Sequence, residues 1–393
     1  MEIKKPIIYL DNNATTPTDP RVLETMMPYL TSNFANANST HLFGIDAYNA
    51  VKKARNQVAE LIGAETNEIV FTSGATEAIN LAIKGVAENY SRKGKHIVTV
   101  QTEHPAVLDT CKHLEKHGYE VTFLPVQNNG LLDLSKVKEA LRHDTILLIV
   151  MYVNNETGVI QDIKSLSSLA HDVGAFFMTD ATQAVGKLNI WVDASGIDLM
   201  CLSGHKMYAP KGVGALFLSQ RINRVKLPAL IHGGGHERGL RSGTLNVPGI
   251  VALGTACEIA GNEINNNAEY IRNLRDLLES ELLKLDGTMI NGSIKNRLFN
   301  TTNIIFKGID SDAMILGLSN PEGNHPLIAV SNGSACTSTS IEPSHVLVAM
   351  GLHDTDAFNS IRFSLGKNNT KIEIGTAIYA VKTVVENLRT FNS

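Results

Sequence analysis

Along the first half of the chain, short apolar runs alternate with stretches whose apolar residues recur every three or four positions. The runs are Glu68-Ile-Val-Phe-Thr72, His96-Ile-Val-Thr-Val100, Tyr119-Glu-Val-Thr-Phe-Leu124, Thr145-Ile-Leu-Leu-Ile-Val150, Ala175-Phe-Phe-Met-Thr179, Asp198-Leu-Met-Cys-Leu202 and Val213-Gly-Ala-Leu-Phe-Leu218. Each suits a strand covered on both faces, and helical segments separate most of them, which predicts an α/β fold with a mainly parallel, buried sheet. Ahead of them, Ile7-Ile8-Tyr9-Leu10 leads into the turn-rich Asp11 to Pro17, and Asp46 to Ile62 predicts an amphipathic helix; both read as scaffold. After about residue 260 the pattern shifts. Asn262 to Leu285 predicts a charged connector helix, and Asn303 to Phe306, Leu327 to Val330 and Ser360 to Ser364 predict strands of a smaller α+β unit.

Composition narrows the class. A chain of 393 residues with 43% hydrophobic residues can bury a sizeable core. A net charge of −4 and a pI near 6.4 give no basic field for phosphate backbones, so no direct nucleic-acid ligand is expected. No apolar run reaches membrane-spanning length, and Met1 to Pro6 has no signal-peptide core, so the expected setting is cytoplasmic, without a membrane. Cys111, Cys201, Cys257 and Cys336 lack Cys-x-x-Cys spacing, which argues against a disulfide framework or a zinc knuckle. His232-Gly-Gly-Gly-His236 is too glycine-rich for a helical metal site, so no metal is expected.

In open parallel sheets ligands bind at the carboxyl ends of the strands, and several polar groups follow those ends here. Ser203-Gly-His-Lys206 places a lysine beyond an apolar strand, where burial would lower its pKa and make it a Schiff-base nucleophile. Ser73-Gly74-Ala75-Thr76 is a strand-to-helix turn whose free N–H groups suit a phosphate. His104, Asn155, Asp180 and Gln183 follow other strands. Taken singly, each has a plainer reading: a structural histidine, a turn residue, a helix cap. Together they match pyridoxal 5'-phosphate (PLP), which needs a lysine, an acid for its ring nitrogen, a phosphate cradle and partners for its ring oxygen. Lys206, Asp180, the Ala75 and Thr76 turn with Ser203 and His205, and Gln183 with Asn155 supply these in that order. His104 is placed to stack on the ring and move protons.

Thr72-Ser-Gly-Ala-Thr-Glu77, Thr102-Glu-His104, Val153-Asn-Asn-Glu156, Asp180-Ala-Thr-Gln183, Ser203-Gly-His-Lys206, Gly233-Gly-Gly-His-Glu-Arg-Gly239 and Arg241-Ser-Gly-Thr244 resemble the NifS/IscS-type cysteine desulfurases, in the class V aminotransferase group. The resemblance runs from Tyr9 to about Gly366. It implies the type I PLP-dependent transferase fold, aspartate aminotransferase-like, with a large domain over residues 15–260 and a smaller one from residues 1–14 and 261–393. It also implies a homodimer in which Thr244 reaches the neighbouring subunit's phosphate. The implied reaction removes sulfur from L-cysteine to give L-alanine and a persulfide on Cys336, which is passed to a sulfur-acceptor protein for iron–sulfur cluster assembly or another thiolation pathway. Cys336 is then the position that could share an iron–sulfur cluster with a partner.

The residues around Cys336 agree with that role. Ser331-Asn-Gly-Ser-Ala-Cys336-Thr-Ser-Thr-Ser340 is small and polar, which predicts a mobile loop with an accessible thiol, whereas Cys111, Cys201 and Cys257 read as packed core. The resemblance makes Arg362, with Asn155, the holder of the substrate carboxylate. Departures are Ala35-Asn-Ala-Asn-Ser-Thr-His41, the insertion-like Asn320 to Pro326, and an end at Ser393 without the longer tail by which housekeeping members dock a scaffold, leaving the acceptor open. Rival readings are an aminotransferase or selenocysteine lyase in the same cradle, and a non-enzymatic sulfur-carrier or nucleotide-binding protein in which Lys206 and Asp180 are incidental. Bound PLP is yellow, so the colour of the purified protein separates the last from the others.

Overall fold

A computed structural model describes residues 5–220, 225–333, 335–337 and 340–391 of the chain. The seven apolar runs form one sheet. Its strands are β2 (Ile69–Thr72), β3 (His96–Val100), β4 (Glu120–Leu124), β5 (Thr145–Ile149), β6 (Phe176–Asp180), β7 (Leu199–Ser203) and β8 (Gly214–Leu218), numbered after the N-terminal β1 (Ile7–Tyr9). They lie in the order β2-β8-β7-β6-β5-β3-β4. The ladders β3–β4, β3–β5, β5–β6 and β6–β7 are parallel, and β8 runs antiparallel to both its neighbours. The mainly parallel sheet expected from the pattern is therefore present. In β5, Ile146, Leu147, Leu148 and Ile149 are all fully buried, which is why that run shows no alternation; each such side chain contributes roughly 1.5–3 kcal/mol.

Among the described residues, six further strands lie beyond residue 287. β9 (Thr288–Ile290), β10 (Thr301–Phe306) and β14 (Ser360–Ser364) form an antiparallel sheet with β10 in the middle. β11 (Leu327–Ala329) pairs parallel with β1, which joins the amino terminus to this region. β12 (Ala335–Thr337) and β13 (Ser340–Glu342) form a two-stranded hairpin. The segment around Cys336 was expected as a loop, but its backbone pairs with Ile341 across this hairpin. Small polar residues carry little strand propensity, so the pairing was invisible in the residue types alone.

Two helices differ from the pattern-based bounds. The first runs Leu42–Ile62 rather than from Asp46, capped by His41, whose ring nitrogen accepts from the Gly44 N–H at 3.2 Å. The long helix runs Val247–Leu282, well before Asn262, with Asn246 as its cap and Pro248 in its first turn. Its first half packs on Leu42–Ile62 so closely that a Cβ on Gly254 would lie 2.5 Å from the Ala54 Cα. That half is buried widely rather than on one stripe, so it showed no amphipathic signature. The expected boundary at residue 260 falls inside this helix. Among the described residues no helix is long and apolar enough to cross a membrane.

Candidate active site

A cavity of about 510 Å³ opens at the carboxyl edge of the large sheet. That volume is in the range of small-ligand sites, roughly 300–1,000 Å³. Because β2, β3, β5, β6 and β7 share one direction, the residues that follow each must emerge at the same edge. Ala75 and Thr76 follow β2, His104 follows β3, Asn155 follows β5, Asp180 ends β6, and His205 and Lys206 follow Ser203 at the end of β7. All of these, with Gln183 and Arg362, line the cavity.

Lys206 ends a short 3-10 turn, Gly204–Lys206. Its Nζ donates to the carbonyl oxygens of Asn13 at 2.7 Å and Ala14 at 2.6 Å. Burial, and after it the positive charge of Arg362, lowers its pKa to about 8, so its neutral nucleophilic form is accessible near neutral pH. Asp180 is buried, and its Oδ1 accepts from the Thr182 N–H at 2.9 Å. The helix Ala75–Tyr90 starts from Gly74 without a side-chain cap, which leaves its first N–H groups aimed at the cavity. Gly74 has φ +155° and ψ −178°, and a Cβ on neighbouring Gly214 would stand 2.7 Å from its Cα, so both positions require glycine.

His104 caps the helix Pro105–Glu115 through Nδ1, which accepts from the Ala106 N–H at 3.0 Å, and burial lowers its pKa. The imidazole is thereby kept neutral and able to take up a proton. His205 is lowered to about 4, by burial first and then by Lys206, and its Nδ1 lies 3.2 Å from the Thr15 hydroxyl. Gln183 donates from Nε2 to the Asn13 carbonyl at 2.9 Å, while its Oε1 accepts from Lys187 Nζ at 2.8 Å. The Lys187 amine fixes which way that amide faces; burial and the nearby Lys206 lower its own pKa to about 7. Arg362 pairs through Nη2 with Asp11 at 2.6 Å and through Nη1 donates to the Asn155 carbonyl at 3.2 Å.

Two predicted positions stand apart. Thr244 is exposed and does not line the cavity. The Cys336 side chain lies outside the described residues. The other three cysteines are buried, with the thiol pKa pushed up by burial: to about 12 for Cys111 and Cys257, and well above the ordinary value for Cys201. They are packed, unreactive thiols.

Sequence reasoning passed over part of the wall. The turn-rich Asp11 to Thr15 has the pattern of scaffold, yet Asn13 is buried and its carbonyl holds both Lys206 and Gln183. The signal was a polar Asp-Asn-Asn immediately after an apolar strand. Lys211 and Gly212 also line the cavity, because antiparallel β8 brings its amino end to the edge where the other strands end. Thr182, in the Asp180 motif, lines the cavity with a buried hydroxyl that has no partner among the described residues, as does Arg362 with its Nε. A free helix start, a depressed-pKa lysine, a buried acid and unpartnered donors together suit an anionic, ring-nitrogen cofactor such as PLP.

The aminotransferase class-V family model matches residues 8–376. The chain belongs to this family. Within it, cysteine desulfurase IscS of Pectobacterium carotovorum is 50% identical over 385 residues, covering 97% of this chain and 93% of that protein. Cysteine desulfurase IscS of Haemophilus influenzae is 51% identical over the same shares. A solved structure described as a NifS-like protein superposes with a TM-score of 0.89 at 37% identity, covering 98% of this chain and 99% of that one. The class-V fold, a type I PLP-dependent transferase architecture, is thus the fold of this chain.

Proposed function

We infer that the protein is a PLP-dependent cysteine desulfurase that converts L-cysteine to L-alanine and transfers the sulfur to the Cys336 thiol as a persulfide. The observation that carries this reading is the meeting of Lys206, Asp180 and the free start of the helix Ala75–Tyr90 in one cavity, with Arg362 on its wall. Bound there, PLP would supply an aldehyde and an electron sink for charge developing at the substrate's α-carbon.

The chain's own groups do the rest. Ala75 and Thr76 N–H groups, the hydroxyls of Thr76 and Ser203, and His205 would hold the phosphate. Asp180 would keep a proton on the ring nitrogen, and Gln183 with Asn155 would donate toward the ring oxygen. Lys206 would be the covalent anchor and would afterwards move protons at the α-carbon with His104. Arg362 takes the substrate carboxylate beside Asn155, exchanging its contact with Asp11. The Cys336 thiolate attacks the substrate sulfur; the carbon–sulfur bond breaks, its electron pair stays with carbon, and protonation gives alanine. An acceptor protein's thiolate then takes the outer sulfur of the persulfide, the S–S bond breaking to return the Cys336 thiolate, in iron–sulfur cluster assembly or another thiolation route. A cytoplasmic setting, where thiols stay reduced, suits this chemistry.

The same reading includes a homodimer. Phe34, Leu42, Phe43 and Tyr48 are large apolar side chains more than half exposed on neighbouring stretches of sequence, a pattern suited to a subunit interface, and exposed Thr244 is free to serve a second subunit's phosphate. Residues 15–260 would form the cofactor domain and residues 1–14 and 261–393 the smaller one, a division supported by the confinement of the large sheet to residues 69–218. The test is to supply the purified protein with PLP and L-cysteine under a thiol reductant. Equal amounts of alanine and sulfide are expected; transfer of the amino group to an added keto acid, with no sulfide released, would indicate an aminotransferase instead.

A further inference from the structure

Glu156 sits in the sheet-edge loop one residue beyond Asn155, 4% exposed, and its side chain has no part in the chemistry above. Its own backbone is fixed: the N–H donates to Asn154 Oδ1 at 3.0 Å, and the carbonyl accepts from Asn303 Nδ2 at 3.3 Å. Two residues far along the chain meet its carboxyl group. Ser344 Oγ donates to Oε2. Gly333, at φ +72°, lies so close that a Cβ there would stand 2.3 Å from the same oxygen. Those two residues flank the β12–β13 hairpin, one before Ala335 and the other after Glu342.

We propose that Glu156 is a positioning residue that holds one foot of the Cys336 hairpin by the Ser344 hydrogen bond and packs against the other at Gly333, and so sets where Cys336 stands relative to Asn155 and Arg362. The proposal rests on the desulfurase reading for its consequence in turnover, but not for the contact itself. Other ties at the same root run toward the same site. Ser331 and Arg362 exchange backbone hydrogen bonds, at 3.3 Å from the Ser331 N–H and 2.6 Å from the Arg362 N–H. His345, next to Ser344, has its Nε2 2.9 Å from the carbonyl oxygen of Glu103, the residue before His104. The hairpin is therefore referenced at its feet to the loops bearing His104 and Asn155 and to the strand bearing Arg362. Glu156 is the point on which the two feet converge. A carboxyl in this setting is costly to bury unless its hydrogen bonds are satisfied, and burial does raise its pKa despite the opposing pull of Ser344, His345 and Arg362. A buried group with that cost and no catalytic use is explained by the hydrogen bond it accepts from Ser344 and the Gly333 backbone packed against it.

The experiment compares Glu156→Ala, Glu156→Gln and Ser344→Ala with the unaltered holoenzyme. Three quantities are read: PLP absorbance and its change on adding cysteine, steady-state alanine release, and amide hydrogen exchange of the peptide spanning residues 333–344. Glu156→Ala should keep the PLP spectrum and its response to cysteine, with the cysteine KM within about threefold. Its kcat for alanine should fall at least about tenfold, and exchange in the hairpin peptide should accelerate. Ser344→Ala should show the same direction with a smaller loss. Glu156→Gln keeps an oxygen acceptor and should recover at least about a third of the rate. Unchanged exchange in both Glu156→Ala and Ser344→Ala would overturn the anchor. So would normal alanine release from Glu156→Ala, or a loss of rate confined to weaker PLP binding. If the unaltered protein released no alanine, the desulfurase reading would fall, and the exchange comparison alone would still decide the anchor.

Discussion

The sheet-edge cavity and the hairpin that carries Cys336 are built in opposite ways. In the cavity, Lys206, Asp180, His104 and Asn155 each follow a different strand of one parallel set, so a continuous ladder positions them and no single side chain is responsible. The hairpin forms a two-stranded sheet of its own, three residues per strand, outside that ladder. It is tied down at its root by a handful of contacts: Ser331 to Arg362, Asn332 Nδ2 to Asp312 Oδ1 at 2.7 Å, Ser344 to Glu156, and His345 to Glu103. Cofactor chemistry and sulfur transfer should therefore respond separately to substitution. Damage in the cavity should stop both, and damage in the hairpin should stop only the second.

The strongest test removes the lysine. Lys206→Ala should fold and lower alanine release by more than about a thousandfold, since on the proposed reading the covalent anchor and a proton carrier are lost together. Borohydride reduction and peptide mapping of the unaltered protein should put the cofactor on Lys206; a label on another lysine would refute the assignment. Cys336→Ala sharpens the contrast. It should retain PLP and the spectral response to cysteine while alanine release drops by about a hundredfold or more, and mass spectrometry after one turnover without reductant should find the added sulfur on the Cys336 peptide of the unaltered protein.

Arg362 touches both regions, so its loss should blur the comparison. Arg362→Ala should raise the cysteine KM on the order of ten- to a hundredfold, the worth of a charge-assisted contact. It also leaves Asp11 without its 2.6 Å partner, and truncating one member of this partly buried ion pair should cost about 1–3 kcal/mol, visible as a lower denaturation midpoint. The pH dependence of cofactor uptake isolates the cavity alone. Lys206 attacks only when neutral, and burial followed by the charge of Arg362 lowers its pKa to about 8. The rate of PLP capture by the apoprotein should therefore rise with pH and level off above about 8. A rate still climbing toward the ordinary lysine value of about 10.4 would show that the amine is not desolvated. The smallest effects belong to the buried thiols: Cys111→Ala, Cys201→Ala and Cys257→Ala should keep turnover within about twofold and lose about 1–3 kcal/mol of stability.

The local pattern of residues was enough for the strands of the large sheet and for the chemistry at their ends, because both are written in short range. An unbroken apolar run specifies a strand buried on two faces, as in Thr145–Ile149, and a polar cluster directly after it has to emerge at that strand's carboxyl end. The long helix was less legible: Val247 to Ile259 packs on several sides at once, and a helix without a polar stripe loses its periodic signature. Only the tertiary structure decided the sheet order, and with it which strand ends are neighbours. It alone made Asn13 the acceptor for Lys206, paired Arg362 with Asp11 across 351 positions, brought Lys211 to the cavity just ahead of β8, the antiparallel strand of the large sheet, and set Gly333 and Ser344 on Glu156. Hydrogen bonds and close packing between segments so distant in sequence depend on where the whole chain has been folded, and no local pattern of hydrophobic and polar residues encodes that distance.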